Sequence, residues 1–322
     1  LSGLRRRGRA GSGRARHVVL VRALALLDPR LAGRHRRSAP LLPVVRHGDN
    51  RSQIERIDTL PTIPGVLRKL LVVIENPRIS LNDVGSFISN DPVLTSRVLK
   101  VVNSPIYGFP GRISSVSQAL ILLGLNVVKG MLLGVSVFEA MQKTMVGLWE
   151  HSLGCAVTAR IIAKKKELKE PEEVSVAALL HDIGKVVLGL KFPDEYKRIM
   201  SEAETKDIFI FDAEKNYFGI NHANAGAWIA QKWNFPRSLV EVIEYHHKPN
   251  LSKNVTMQTA IVHLSDILIR AKRFGFAGDN SVPAINNAAW QMLNLSEADV
   301  KDILDEKVDS LSQAEDFLLS DE

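Results

Sequence analysis

From Ile54 onward, apolar positions recur at spacings of three and four, the period of helices buried along one face. Val66, Leu67, Leu70, Leu71 and Ile74 form one such stripe, and Pro61 and Pro64 bracket its start. Ser80-Leu81-Asn82-Asp83 reads as a capping box opening a helix through Val84, Phe87 and Ile88. Asp91-Pro92 sets an N-cap before a proline in the first helical position, with Leu94, Val98, Leu99 and Val102 as the buried stripe. Asn103-Ser104-Pro105 stops that helix, and Gly108, Pro110 and Gly111 mark a loop. Ser115 to Gln118 caps the next helix.

Residues 119–138 are almost continuously apolar, and about 20 such residues can cross a bilayer. Asn126 and Lys129 interrupt the run, and Gly124, Gly130 and Gly134 weaken it. The expectation is therefore two buried helices broken near Gly124-Leu125-Asn126, not a membrane span. Helical patterns continue from Leu148 through Val157, Ile161 and Ile162, from Val174 to Leu180, through Ala223–Trp228, Leu239–Ile243 and Ala260–Leu268. Phe209, Phe211, Phe218, Trp228, Trp233 and Phe235 read as packing residues. Residues 274–294 read as a loop, and Ser296-Glu297-Ala298-Asp299 caps a terminal amphipathic helix with Val300, Ile303, Leu304, Val308 and Leu311 inward. That helix could pair two copies of the chain, although packing on its own domain is the expectation. The pattern as a whole predicts an all-α protein.

The polar residues that break these stripes carry the chemistry. Of nine histidines, His151, His181, His222, His246, His247 and His263 lie in or beside apolar helical segments, where an unpartnered imidazole is costly to bury. His181 and Asp182 are adjacent, so they cannot share one strict helix face. Both can reach one ion if the helix ends there, and Gly184 favours such an ending. Asn221 caps a helix that holds His222 in its first turn. Asp266 sits inside an apolar helix and needs a partner. Imidazole with carboxylate suits Zn, Mn, Fe or Ni better than Ca or Mg, and five imidazoles with two carboxylates suffice for one or two ions. A divalent metal lowers the pKa of bound water toward ~7 and polarises a phosphoryl oxygen, as phosphoester hydrolysis requires. His263, three residues before Asp266, reads as an ordinary helix residue. His247 could face solvent.

Composition changes this picture in two places. The formal charge of +7 is concentrated at the N-terminus. Residues 1–50 hold 12 Arg, no Lys and 2 Asp, a balance of +10, which leaves −3 for the remainder. That stretch fits a nucleic-acid or membrane arm, a targeting peptide, or a disordered extension read upstream of the true start, the chain beginning with Leu; the extension is the preferred reading. The single cysteine, Cys155, excludes disulfides and all-Cys zinc sites, and reads as a small buried hydrophobe four residues after His151. A cytoplasmic location is expected. Residues 80–102 have the form of a helix-turn-helix with Thr95, Ser96, Arg97 and Lys100 outward, but no basic face surrounds them, so nucleic acid is not the expected partner.

Leu60-Pro61-Thr62-Ile63-Pro64, Ile88-Ser89-Asn90-Asp91-Pro92, Leu99 to Gly108, Ala119 to Gly124, Leu148-Trp149-Glu150-His151-Ser152, His181-Asp182-Ile183-Gly184-Lys185, His222 with Gly226-Ala227-Trp228, and Tyr245-His246-His247 follow one another in this order. Together these stretches resemble the HDOD family of bacterial signalling proteins. The resemblance spans about residues 54–270. It implies an HD-domain-like helical bundle with an N-terminal helical lobe: residues 1–53 an extension, 54–145 the N-terminal lobe, 146–275 the HD-like lobe, and 276–322 a loop and terminal helix. It implies a signal-transduction output module acting on a signalling protein or a small phosphorylated ligand. A metal-dependent phosphodiesterase acting on a nucleotide or cyclic dinucleotide is the enzyme alternative, and a DNA-binding regulator the third.

Carried over residue by residue, the resemblance makes His151, His181, Asp182 and Asp266 the set for one metal. It makes His222, His246 and His247 the further ligands of binuclear relatives, with Asp182 bridging. Asp182 and Lys185 are its candidate catalytic residues, Lys185 as a phosphate contact. Lys248-Pro249-Asn250-Leu251 stands where cyclic di-GMP phosphodiesterases have Gly-Tyr-Pro, and Gly147 stands where some relatives place a glutamate. A third metal and cyclic di-GMP hydrolysis are therefore not expected.

Overall fold

The computed structural model describes residues 78–104, 107, 109 and 111–304, with isolated positions between 52 and 76. The expected stripe over residues 66–74, the 1–53 extension and the positions of Val308 and Leu311 lie largely or wholly outside the described residues. Among the described residues there are helices and turns and no strand.

Leu81–Ser89 (α1) begins at Ser80, whose hydroxyl accepts from the Asp83 backbone while Asp83 returns the bond. Pro92–Val102 (α2) begins after Asp91, whose carboxylate accepts from the Leu94 N–H at 3.1 Å. Thr95 does not face outward as a DNA-reading position would. Its hydroxyl donates to the Ile88 carbonyl at 2.7 Å and ties α2 back to α1. Both helices pack on Val116–Thr144 (α3). Gly124 takes φ +79° inside α3, so the apolar run bends into two helical pieces where the sequence indicates a break. Among the described residues one segment, Val116–Gly134, is long and apolar enough to cross a membrane, and most of it is buried within the protein.

The centre of the molecule is built from helices that are apolar all round. Leu148–Lys165 (α4) and Pro171–Leu180 (α5) lie against each other, and Thr256–Lys272 (α11) packs on both. A helix wet on one face shows a stripe; these have core on nearly every side. Apart from the buried Arg160 and Asp266, their charges lie at the ends: Glu150, Glu172 and Glu173 near N-termini, and Lys164, Lys165, Arg270 and Lys272 near C-termini, all complementing the helix dipoles. Around this core stand Ile183–Lys191 (α6), Pro193–Thr205 (α7), Ile210–Phe218 (α8), His222–Lys232 (α9) and Arg237–Tyr245 (α10). Part of the segment read as a loop is helical: Asn287–Leu293 (α12) starts at Asn286, whose side chain accepts from Ala288 and Ala289 N–H. The tryptophan at 290 anchors no periodic stripe in so short a helix, which hid it from periodicity. Beyond it, Ser296 and Asp299 form the expected capping box, with Val300, Ile303 and Leu304 buried.

Gly184 has a different role from the helix ending expected of it. The break falls two residues earlier, at Asp182, and Gly184 lies in the first turn of α6. A Cβ there would come 1.9 Å from the His222 carbonyl oxygen and 2.7 Å from the Gly226 nitrogen. The missing side chain lets α6 lie directly against the backbone of α9, and so sets Asp182 against His222.

Candidate metal centre

Most polar side chains of the centre come from helix ends, where the chain can turn them inward. His151 is in the first turn of α4, and its N–H donates to the Gly147 carbonyl, which also accepts from Phe276. His181 and Asp182 form the joint between α5 and α6. His222 is the first residue of α9, after the Asn221 cap. His246 and His247 follow the last turn of α10, and Asp266 projects from the middle of α11. His151, His181, Asp182, His222, His246 and Asp266 are all buried, and His247 is half-buried. The seven expected metal ligands thus meet in one cluster.

Asp182 is its middle. Its Oδ2 lies 3.3 Å from His181 Nε2 and 3.5 Å from His151 Nε2. Its Oδ1 lies 3.2 Å from His222 Nε2 and 3.9 Å from His246 Nε2. One carboxylate therefore faces two groups of imidazoles with its two oxygens. His151 Nε2 also lies 3.2 Å from Asp266 Oδ1. His247 Nε2 lies 2.8 Å from His222 Nε2, and the His247 ring rests on Phe211 at 4.5 Å between centroids. His247 and Phe211 form the half-open edge of an otherwise closed site.

The partners fix the tautomers. His181 Nδ1 donates to the Ala178 carbonyl at 2.6 Å, and His246 Nδ1 to the Ile243 carbonyl at 2.7 Å. A ring nitrogen facing a carbonyl oxygen must carry the proton, so each Nε2 presents a lone pair inward. Those two nitrogens, and Asp182 Oδ1, have no hydrogen-bond partner despite complete burial. Unsatisfied buried acceptors are expensive, and the donor atoms of His181, Asp182 and His246 lie within 4.8 Å of one another, an arrangement that fits a divalent cation. His222 Nδ1 donates to Glu214 at 2.6 Å, the carboxylate–imidazole pairing that orients metal-bound histidines. Glu214 is held in turn by the Tyr196 hydroxyl at 2.7 Å and the His222 N–H at 2.8 Å.

Two cations share the site. Lys185 Nζ donates to Asp182 Oδ2 at 2.6 Å and to the Ala277 carbonyl at 2.8 Å. Arg270 Nε donates to Asp266 Oδ1 at 2.8 Å, and its Nη1 lies 3.2 Å from Asp279. Ala277 and Asp279 lie beyond residue 275, the expected edge of the HD-like lobe, so the following segment supplies part of the lining. Burial alone would raise the Asp182 carboxyl, but His181, Lys185, His222 and His151 together hold it well below the usual range. Burial likewise opposes ionisation of Asp266, and Arg270 with His151 and His181 outweighs it. Burial pushes the His181 imidazole down to about 4, and burial with neighbouring His181 and His222 pushes His246 down as well. These rings stay neutral and available as ligands in neutral solution.

Sequence reasoning passed over Glu214 and Arg270. Glu214 lies in an otherwise amphipathic helix, and only its burial among apolar residues of α8 singles it out. Arg270 stands four residues after Asp266, the spacing of a helical ion pair, and that signal was available. His263 is more than an ordinary helix residue: it is buried, its Nδ1 donates to the His246 carbonyl at 2.7 Å, and its Nε2 accepts from the Asn286 N–H at 3.0 Å. A separate cleft of about 310 Å³, lined by Asn126, Glu170, Glu173, Leu239 and Gln258 among others, shares no residue with the cluster.

An all-helical bundle enclosing a histidine–aspartate cluster around a central His-Asp joint defines the HD class of folds. The HDOD domain model matches residues 60–249, most of the chain, and the chain belongs to the HDOD family. An HDOD domain protein of unknown function from Geobacter sulfurreducens has a similar structure, with TM-score 0.61 and 26% identity, covering 84% of this chain and 99% of that one. A structure from Marinobacter aquaeolei, described provisionally as a signal transduction protein, also has TM-score 0.61, at 22% identity over 84% of this chain and 64% of that one. A Shewanella amazonensis structure, described provisionally as a phosphohydrolase, has TM-score 0.58 at 20% identity over 83% of this chain and 98% of that one. At those identities the last two show the fold alone. Among curated proteins, an uncharacterized protein of Treponema pallidum is 27% identical over 221 residues, 67% of this chain and 43% of its own length. Ribonuclease Y of Mycoplasmoides gallisepticum is 30% identical over 135 residues, 41% of this chain and 20% of its own length. The chain spans less than half the length of either curated relative.

Proposed function

We propose that the chain is a signal-transduction output module whose buried cluster holds a divalent metal as part of its architecture, and which recognises a signalling protein or a small phosphorylated ligand. The supporting observation is the pair of orphaned acceptors, His181 Nε2 and His246 Nε2, aimed at a carboxylate with one oxygen also unsatisfied. His151, His181, Asp182 and Asp266 would hold one ion; His222, His246 and His247, with Asp182 shared, form a second group of donors.

When bound, the metal supplies Lewis acidity toward a phosphoryl oxygen or water. The chain's own residues do the positioning. Glu214 keeps the His222 ring in one tautomer, the Ala178 and Ile243 carbonyls do the same for His181 and His246, and Arg270 holds Asp266 ionised. Lys185 is anchored by Asp182 and Ala277 inside the protein, an arrangement that favours a structural role for its ammonium over a reach toward phosphate. The burial of the other donors, with only His247 and Phe211 half-exposed at the edge, also favours a module over a rapid hydrolase.

Elemental analysis of the purified full chain, followed by assay with Mn²⁺ or Fe²⁺ against cyclic dinucleotides, single-stranded RNA and a generic phosphodiester, tests the proposal. Bound metal without turnover is the expected result. Turnover abolished by Asp182→Ala would replace the module reading with the phosphodiesterase one. Absence of metal after purification and after reconstitution would overturn the metal centre itself.

A further inference from the structure

The donor set contains a member that the nitrogen-and-oxygen pattern above leaves out. Cys155 lies one helical turn after His151 on α4, so the two side chains project from the same face. Its thiol is completely buried. A cysteine that serves only as a small core hydrophobe faces apolar atoms. Here Sγ lies 3.6 Å from His151 Nε2, and the donor atoms of His151, Cys155, His181 and Asp266 all lie within 4.8 Å of one another. The orphaned Nε2 of His181 belongs to the same group of four, and independently indicates an absent ligand there.

We propose that Cys155 is a further protein donor, beside His151, His181, Asp182 and Asp266, to one metal ion, and that its sulfur biases this centre toward Zn²⁺ or Fe²⁺ over Mn²⁺ and Mg²⁺. Thiolate is a soft ligand, and hard oxygen-seeking cations gain little from it. On loading, the S–H bond breaks, its electron pair forms the metal–sulfur bond, and the proton passes to solvent buffer; no oxidation state changes. This inference rests on the metal reading above, and the two can fail separately.

Co²⁺ titration into the chelator-stripped full chain distinguishes them. Cys155 is the only cysteine, so a sulfur-to-cobalt charge-transfer band in the near ultraviolet can come from no other residue. The expected result is that band together with visible ligand-field bands, with Cys155→Ser keeping the ligand-field bands and losing the charge-transfer band. Zn²⁺ affinity should fall at least about 10-fold in the variant, with Mn²⁺ affinity little changed. Ligand-field bands in the wild-type chain without charge transfer overturn the sulfur donor and leave the metal centre standing. No cobalt binding at all overturns both. The wild-type spectrum decides the question even if the serine variant fails to fold.

Discussion

The ammonium of Lys185 lies 2.6 Å from the carboxylate of Asp182, and both side chains are completely enclosed. Neither charge can be solvated, so each depends on the other. Removing one partner of a buried pair leaves the survivor uncompensated, at a cost of about 3–5 kcal/mol, whereas removing both costs far less. Asp182→Ala should therefore lower stability in urea unfolding by that order. Asp182→Ala with Lys185→Met should recover a large part of the loss. A double variant as unstable as the sum of the single ones would show that the two charges are not coupled.

Glu214 acts at one remove, through His222. Glu214→Gln keeps the shape but weakens the grip on Nδ1, and loss of such an orienting partner typically costs 10–100-fold in metal affinity. Competition titration against a chromophoric chelator measures it. Unchanged affinity would remove His222 from the donor set.

Gly184 tests the backbone contact that sets α6 on α9. The atoms a Cβ would strike, His222 O and Gly226 N, are main-chain and cannot swing aside. Gly184→Ala should destabilise by about 3 kcal/mol, the upper end for overpacking, and weaken metal binding through displacement of Asp182. Thermal unfolding together with metal titration reports both effects. A stable variant that binds metal normally would refute the coupling.

Glu241 provides a prediction in pH. Burial would raise its carboxyl. Bonds from Asn254, Ser252 and the Lys253 backbone outweigh that and hold it down to about 2, below its ordinary 4.5. A depressed folded-state pKa means that the unfolded chain binds more protons in acid. The stabilisation is complete above pH 4.5 and is lost as pH falls from there toward 2. Glu241→Gln should cost about 2 kcal/mol at neutral pH, the scale of charge-assisted hydrogen bonds. Its unfolding free energy should then fall less steeply than the wild type's between pH 5 and pH 3 in urea titrations. Parallel pH curves would contradict this account.

Caps and breaks were legible because they are local. Ser80, Asp91, Ser115, Asn221 and Ser296 each satisfy backbone groups within three residues, and the kink at Gly124 follows from a glycine inside an apolar run. The helix at 287–293 escaped because seven residues are too few to display a period. Thr95 was misjudged because a polar residue on a helix can spend its hydroxyl on a neighbouring turn as readily as on a ligand.

The amino-acid sequence alone determined that this protein is helical, belongs with the HDOD proteins, and carries histidines and aspartates at helix ends too apolar to leave them without partners. Folding decided which atoms meet. The two oxygens of Asp182 divide between two groups of rings, Lys185 turns inward, Glu214 and Arg270 join from helices that gave them little prominence, and the sulfur of Cys155 faces imidazole and carboxylate. The reason is physical. Helical period and capping depend on residues within a turn or two, whereas the direction of a buried lone pair depends on packing between segments far apart in the chain, as His151 and Asp266 are.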